Sequence, residues 1–391
     1  MKISLLTGGE KHYQLGLLSG LIGREIKIDL IGNNEIEIYG KDLLNQPNIT
    51  FYNLRGETNI NASVIRKIHR ILRYYIKLII YTIKTDSGLF HIQWENKFLF
   101  FDRTILLLFY KTLKKKIIIT AHNIDINKRN DKKLLLGWIS LWIMYHLSNH
   151  IIVHTDLMKN ELIKDFGLSQ QKITVISHGI NNRIPIINMS SRQAKEKLEL
   201  SENNKILLFF GAIEKYKGID ILLYSLKMLI EKDSSYMLLI SGSPWNNTKY
   251  LTEINQLIKS LKLEKHIIKR YNFIPDDEIE KYFMAADCLI LPYRQIYQSG
   301  VVFISFFFGL PIIASEVGSF KEVIDNKING LTYYPNEPKY LFDKVSSYFC
   351  SNMYLEINNN RKIIKDSMQK KYSWKEIGMK TIEVYKNTKN Q

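Results

Sequence analysis

Short β-branched runs alternate with longer stretches of helical periodicity through both halves of the chain, and nothing else in the sequence limits the fold as much. Brief apolar runs bounded by turn residues suit strands buried on both faces, which form where helices cover a parallel sheet. In the first half, strands are expected near Lys2–Leu6, Glu25–Ile31, Ile49–Tyr52, Leu89–Gln93, Lys116–Thr120, His150–His154 and Lys172–Ile176. In the second half they are expected near Ile206–Phe210, Met237–Ser241, His266–Arg270, Asp287–Leu291 and Pro311–Ala314. Helical segments fill the gaps, so the class is α/β, with two Rossmann-like domains built on parallel sheets. At 391 residues and 46% hydrophobic, the chain is long enough to give each domain its own core.

The connection between the domains falls around Asn181 to Asn188, where Pro185 and paired asparagines follow the strand and loop Val175–Ile180. The expected division is therefore 1–185, 186–370 and a C-terminal segment 371–391, whose amphipathic helix starts at Trp374. Asp276, in Ile274-Pro275-Asp276-Asp277-Glu278, is expected to cap a helix.

Several kinds of chemistry are absent from the pattern. Cys288 and Cys350 have neither metal-ligand spacing nor a disulfide framework, so a cytoplasmic protein without a metal centre is expected. No Ser-His-Asp order, Walker-type loop or HExxH motif occurs. The apolar start Met1–Leu6 is too short for a signal peptide and reads as a first strand running into the glycine turn Gly8-Gly9. The long apolar stretch Leu134–Leu147 falls short of the ~20 residues that span a bilayer, so no transmembrane helix is expected.

The net charge of +17 is unevenly spread: residues 1–190 hold 26 Lys and Arg against 15 Asp and Glu. Within Val64–Lys84 stand Arg66, Lys67, Arg70, Arg73, Lys77 and Lys84, no acid, and Ile68, Ile71, Leu72, Tyr75, Ile76 and Ile79 at near-helical spacing. A basic amphipathic helix of this kind suits an anionic membrane surface, and a solvated helix face is the plainer alternative. Nucleic acid is not expected as a partner, since no zinc-finger or RRM-type module appears and the basic face is interleaved with aliphatic rather than stacking residues.

Two segments of the second half favour phosphate. Tyr297-Gln298-Ser299-Gly300-Val301 opens an apolar helix at a hydroxyl and an unobstructed amide, where unpaired N–H groups and the helix dipole favour an anion. Gly211-Ala212-Ile213-Glu214-Lys215-Tyr216-Lys217-Gly218 follows a buried strand, so its amides and lysines lie at the strand end. In the first half, Ile119-Thr120-Ala121-His122-Asn123 sets a histidine directly after a strand, and Gly8-Gly9 lets backbone approach closely after another. Asp102, within Phe101-Asp102-Arg103, is a candidate carboxylate on the acceptor side and equally an ordinary helix-start acid.

The order from Gln298-Ser299-Gly300-Val301 through Gly309-Leu310-Pro311 to Glu322, with Lys217-Gly218 upstream, resembles the donor-binding half of glycosyltransferase family 4. The resemblance implies the GT-B fold, two Rossmann-like domains facing across a cleft with the last helix crossing back to the first domain. It further implies transfer of a sugar from a nucleotide donor, such as a UDP- or GDP-sugar, to a glycan or lipid-linked acceptor. A role in cell-surface polysaccharide synthesis, retention of configuration and no metal requirement go with it. The protein would work in the cytoplasm, peripheral at the inner face of the cell membrane.

In that family the residues at Gly211, Lys217, Gly218, Gln298, Ser299, Gly300, Val301 and Glu322 serve the donor, and His122 is the cleft histidine; Lys215 is this chain's candidate to stand in for a family arginine on the diphosphate. Two departures stand out: Ala212 replaces an expected arginine, and Ile296 and Ile304 replace a pair of glutamates. These departures leave open a non-catalytic nucleotide-sugar-binding partner protein, or a sugar-nucleotide epimerase.

Overall fold

The computed structural model describes residues 1–57, 63–124, 135–244 and 247–390. Leu134, at the start of the apolar stretch above, and Gln391, last in the C-terminal segment, lie outside the described residues. Two compact units emerge, one of Met1–Gly179 with Tyr372–Gln391 and one of Ile180–Lys371.

The first unit is built on strands β1 (Lys2–Leu6), β2 (Lys27–Gly32), β3 (Ile49–Asn53), β4 (Leu89–Ile92), β5 (Lys116–Ala121), β6 (His150–Val153) and β7 (Ile173–Val175). Their order is β3-β2-β1-β4-β5-β6-β7, and the pairings are parallel. The central strands are buried on both faces, as where helices cover both: Ile3, Leu5, Ile118 and Ile152 are buried on one face, and Leu6, Phe90, Ile117 and Ile151 on the other. The order reverses between β1 and β4, which opens a crevice at the carboxyl ends of those two strands.

The helix Trp374–Asn390 completes this unit by packing on the helix Lys11–Leu21. Their approach depends on glycine: a Cβ on Gly20 would lie 2.0 Å from the Trp374 carbonyl oxygen, and one on Gly378 would lie 2.0 Å from that of Gly20. The Trp374 indole fills the space beside Gly16 and Gly179, and the Tyr385 hydroxyl reaches His91 Nδ1 at 2.7 Å.

The second unit holds β8 (Lys205–Phe210), β9 (Tyr236–Ser241), β10 (Ile267–Arg270), β11 (Cys288–Leu291), β12 (Ile312–Ser315) and β13 (Gly330–Tyr333), in the order β10-β9-β8-β11-β12-β13 and again parallel. The reversal here is between β8 and β11. Strand β13 was not expected, since Gly330-Leu331-Thr332-Tyr333 is short and begins on a glycine. That glycine is needed because a Cβ would lie 2.2 Å from the Ile312 carbonyl oxygen on β12. Asp276 is not an N-cap: Pro275 holds that position and Asp276 opens a short 3-10 turn before the helix Ile279–Ala285. Glu280 on that helix is buried and accepts the amides of Ile187 and Met189 at 2.6 and 2.9 Å, which anchors the entry into the unit.

The basic segment is a helix, Val64–Lys84, with two apolar faces rather than the one expected. Tyr74, Tyr75, Leu78 and Tyr81 are buried against the unit. On another face Ile65, Ile68, Leu72, Ile76, Ile80 and Ile83 form a stripe at helical spacing and are exposed. Tyr75, read from sequence on the membrane-facing side, thus belongs to the core-facing side. Among the described residues no helix is long and apolar enough to cross a membrane, and no group of His, Cys, Asp or Glu is arranged to hold a metal ion.

Candidate functional site

In the second unit, the turns after β8 and β11 converge. Gly211 follows β8 with a φ of 111°, and a Cβ there would lie 2.9 Å from Lys217 Nζ and 3.4 Å from Val301 Cγ2. The glycine turn, the lysine and the start of the helix Gly300–Phe308 therefore share one spot. Lys217 ends a short 3-10 turn, Lys215–Lys217, and is buried, with its ammonium 5.2 Å from the Tyr293 ring centre. Gly218 next to it has a φ of 67° and lies against the Pro292 carbonyl, where a Cβ would fall 2.0 Å away. Only glycine fits both demands.

Ser299 occupies the N-cap position of the helix and is buried, and Gln298 before it has a buried Oε1 with no hydrogen-bond partner among the described residues. Glu322 lies on the helix Phe320–Val323 after β12, and the turn preceding that helix packs on Ile296 and Tyr297. Lys215 is exposed, unlike Lys217, and its carbonyl accepts from Arg294 at 2.9 Å.

Arg294, which the sequence reading passed over, grips Asp220 through two hydrogen bonds of 2.6 and 3.0 Å. Although burial opposes it, the guanidinium holds the Asp220 carboxyl below its usual range. The Arg294 amide also donates to the Tyr216 carbonyl at 2.7 Å, so the pair fixes the turn that presents Lys217. No local signal could have found it, since Asp220 at the start of the helix Ile219–Lys232 reads as an ordinary first-turn acid close to Lys215 and Lys217.

In the first unit, His122 and Gly8-Gly9 meet at Trp94. The His122 ring stacks on Trp94 at 3.9 Å between centres, and a Cβ on Gly9 would lie 2.3 Å from the same indole. Gly9 has a φ of 74°, so it meets both a positive φ and a close approach. Tyr13 meets His122 edge-on at 4.6 Å and His154 at 5.5 Å.

The histidines form a directed chain. A carbonyl only accepts, so His154 Nδ1 donates to the Ile176 oxygen at 2.9 Å. Burial lowers the His154 pKa to about 3, which leaves the ring neutral and its Nε2 an acceptor. His122 Nδ1 donates to that nitrogen at 3.0 Å, and His122 Nε2 is left as a bare acceptor with no hydrogen-bond partner among the described residues. Burial and the neighbouring His154 and His178 push the His122 pKa well below its usual value, so the ring is neutral near pH 7.

Beside His122 lies a cavity of about 170 Å³ at the carboxyl ends of β4 and β5, lined by Gln93, Trp94, Glu95, Arg103 and Asn123 among others. Asp102 does not line it. The Asp102 carboxylate is buried against the Tyr75 hydroxyl at 2.8 Å and the Asn96 amide at 3.1 Å, and burial raises its pKa. It ties the helix Val64–Lys84 to Leu99–Arg103, a structural role for the residue expected on the acceptor side. Arg66, Lys67, Arg70, Arg73 and Lys77 lie on the long helix beside its exposed apolar stripe.

Two family descriptions match successive parts of the chain, Glycosyltransferase Family 4 over residues 8–183 and Glycosyl transferases group 1 over residues 190–367. The chain belongs to the group 1, family 4 type of glycosyltransferases. Among relatives of this family, an uncharacterized glycosyltransferase of Methanocaldococcus jannaschii is 27% identical over 61% of this chain and 60% of its own length. The chain spans about 60% of the length of the curated relatives it matches.

Two solved structures share the fold over 99% of this chain, both with a TM-score of 0.73. One is HepE from Anabaena, in complex with UDP and glucose, at 14% identity and 99% of its own chain. The other is sucrose-phosphate synthase from Thermosynechococcus elongatus, at 16% identity and 98% of its own chain. The family is one of transferases of the GT-B fold.

Proposed function

We propose that the protein transfers a sugar from a nucleoside diphosphate donor to a glycan or lipid-linked acceptor, with retention of configuration, in the synthesis of a cell-surface polysaccharide. The meeting of Gly211, Lys217 and Val301 at the switch point of the second sheet carries this reading. A buried lysine, a glycine-opened backbone and a helix N-terminus together suit a diphosphate. HepE, which shares the fold, is known in complex with UDP.

In this reading the Lys217 ammonium and the first amides of the helix Gly300–Phe308 stabilise the charge that develops on the departing diphosphate. They supply there what a metal ion supplies in other enzymes, and no cofactor is called for. Gln298, Ser299 and Glu322 border the donor, while Arg294 and Asp220 hold the Lys215–Gly218 turn in place. His122 contributes a lone pair that accepts from a sugar hydroxyl, and Gly8-Gly9 leaves room at the neighbouring strand end.

The exposed stripe Ile65–Ile83, with Arg66, Lys67, Arg70, Arg73 and Lys77 beside it, docks the first unit on the anionic cytoplasmic face of the membrane. The activity is tested by incubating the protein with UDP- and GDP-sugars and a cell-envelope lipid extract while measuring nucleoside diphosphate release. Release that depends on the extract and is lost in His122→Ala is expected. Release without acceptor at the same rate would point to a hydrolase, a new nucleotide sugar formed from donor alone would point to an epimerase, and neither from any donor would leave a binding protein.

A further inference from the structure

An arginine that no sequence motif singled out stands at the carboxyl end of the first sheet. Arg55 lies just beyond β3, where its amide donates to the Gly32 carbonyl and the Asn34 amide donates to the Gly56 carbonyl, both at 3.2 Å. The ends of β2 and β3 therefore fix its place. Its side chain reaches toward β1 and β4: a Cβ on Gly8 would lie 3.0 Å from Arg55 Nη2 and 3.1 Å from Trp94 Cβ. The guanidinium thus borders the crevice at the reversal between β1 and β4.

That group is held in position by neutral partners. Arg55 Nη2 donates to Asn96 Oδ1 at 2.5 Å, and the guanidinium carbon lies 4.7 Å from the centre of the Tyr74 ring. The residue is half-buried, and its Nε is buried with no hydrogen-bond partner among the described residues. Neighbouring acids are engaged with other groups. Glu95 accepts from Arg103 at 3.0 Å, Glu37 from Asn53 at 2.7 Å, and Asp102 from Tyr75 at 2.8 Å, so that Asp102 meets Arg55 only through Asn96. Residues 58–62 carry no charge, and 125–134 hold Asp125 and Asp131 against Lys128, Arg129, Lys132 and Lys133, so neither segment adds an excess of acid.

A second guanidinium joins the same loop, where Arg70 Nη1 donates to the Glu57 carbonyl at 2.9 Å. Withdrawing a cation from water costs free energy that an opposite charge returns, and the planar fork of arginine matches the oxygens of a phosphate or a carboxylate. A sugar hydroxyl would leave the charge uncompensated.

We propose that Arg55 binds a negatively charged group on the acceptor, a phosphate or a carboxylate, and thereby selects an acidic acceptor over a neutral one. That the anion belongs to the acceptor rests on the glycosyltransferase reading; the preference for charge does not.

The experiment is saturation-transfer NMR of the full chain with glucose, glucuronate and glucose 1-phosphate, with UDP as a further arm. Glucuronate stands for an acidic glycan and glucose 1-phosphate for a sugar on a lipid phosphate, so the tighter of the two names the source of the charge. The wild type is expected to bind at least one of them more tightly than glucose, and less so as salt rises. Arg55→Gln should weaken that binding roughly tenfold or more, the share of a charged hydrogen bond, and leave UDP binding unchanged. Arg55→Lys, which keeps the charge and loses the fork, should weaken it less and carries the test if the Gln variant does not fold.

A merely structural arginine would change the melting temperature without changing the preference for charged over neutral sugar. Charged sugars bound no more tightly than glucose by the wild type, or equally well by wild type and both variants, would overturn the proposal. UDP binding that falls in step with that of the charged sugars would assign Arg55 to the donor and overturn it too. Since the readout needs no transfer, charge-selective binding by a protein that releases no nucleoside diphosphate refutes the proposed activity and leaves the anion site standing.

Discussion

His91, His150, His154 and His178 are buried in the first unit, and burial lowers their pKa values to about 3, 4, 3 and 4. With His122 lowered as well, the unfolded chain takes up protons before the folded one does as pH falls below the usual histidine value of about 6.5. Stability is therefore complete above that value and is lost as pH falls through it toward 4. Asp102 and Asp287, whose carboxyls burial raises, work in the opposite direction but are fewer. Thermal melts at pH 7, 5.5 and 4.5 should show a steep drop in melting temperature, made shallower in His154→Gln; a flat profile would contradict the neutral histidine chain. Of these residues only His122 was legible as a site residue, because it directly follows a strand. His154 and Gln93 also stand at strand ends, but their partners are Ile176, His122 and a cavity wall, all distant in sequence. Trp94 was not legible as a site residue, because nothing local to it shows that Gly9 and His122 meet on its ring.

Among the elements, the pairing of Lys11–Leu21 with Trp374–Asn390 rests on backbone contact at Gly20 and Gly378. A methyl on Gly20 would collide with main chain that cannot move aside, so Gly20→Ala should destabilise by about 1–3 kcal/mol, as overpacking does. Gly137, within the helix Leu135–Leu147, has open space where its Cβ would stand. Gly137→Ala should gain up to ~1 kcal/mol from helix propensity, and urea denaturation of the two variants compares them. The helix Val64–Lys84 makes a separate prediction. Replacing Arg66, Lys67, Arg70 and Arg73 with Gln should remove about 1 kcal/mol of attraction each and release the protein from phosphatidylglycerol vesicles at low salt. Equal sedimentation of variant and wild type, or none of either, would make the stripe an ordinary surface. The helix itself was legible from its spacing, but its two apolar faces were not, because Tyr74 and Tyr81 carry the core contact and a single stripe was expected.

Across the whole molecule, the two parallel sheets were legible because their strands are buried on both faces and read as unbroken apolar runs between turns. The strand order was not, since it depends on which crossover turns back, and only the packed chain shows the reversals at β1–β4 and β8–β11. Those reversals are where the candidate residues of each unit gather, and the phosphate signals at Lys217 and Gly300 became one site only through Gly211. Titration calorimetry of the full chain with UDP and with GDP, for wild type and Lys217→Ala, tests that site most directly. The account predicts that the wild type binds at least one of them and that the variant loses ~1.5–3 kcal/mol, the share of a charged hydrogen bond, a weakening of roughly tenfold to 150-fold. Equal affinity in a folded Lys217→Ala protein, or no binding of either nucleotide by the wild type, would contradict it.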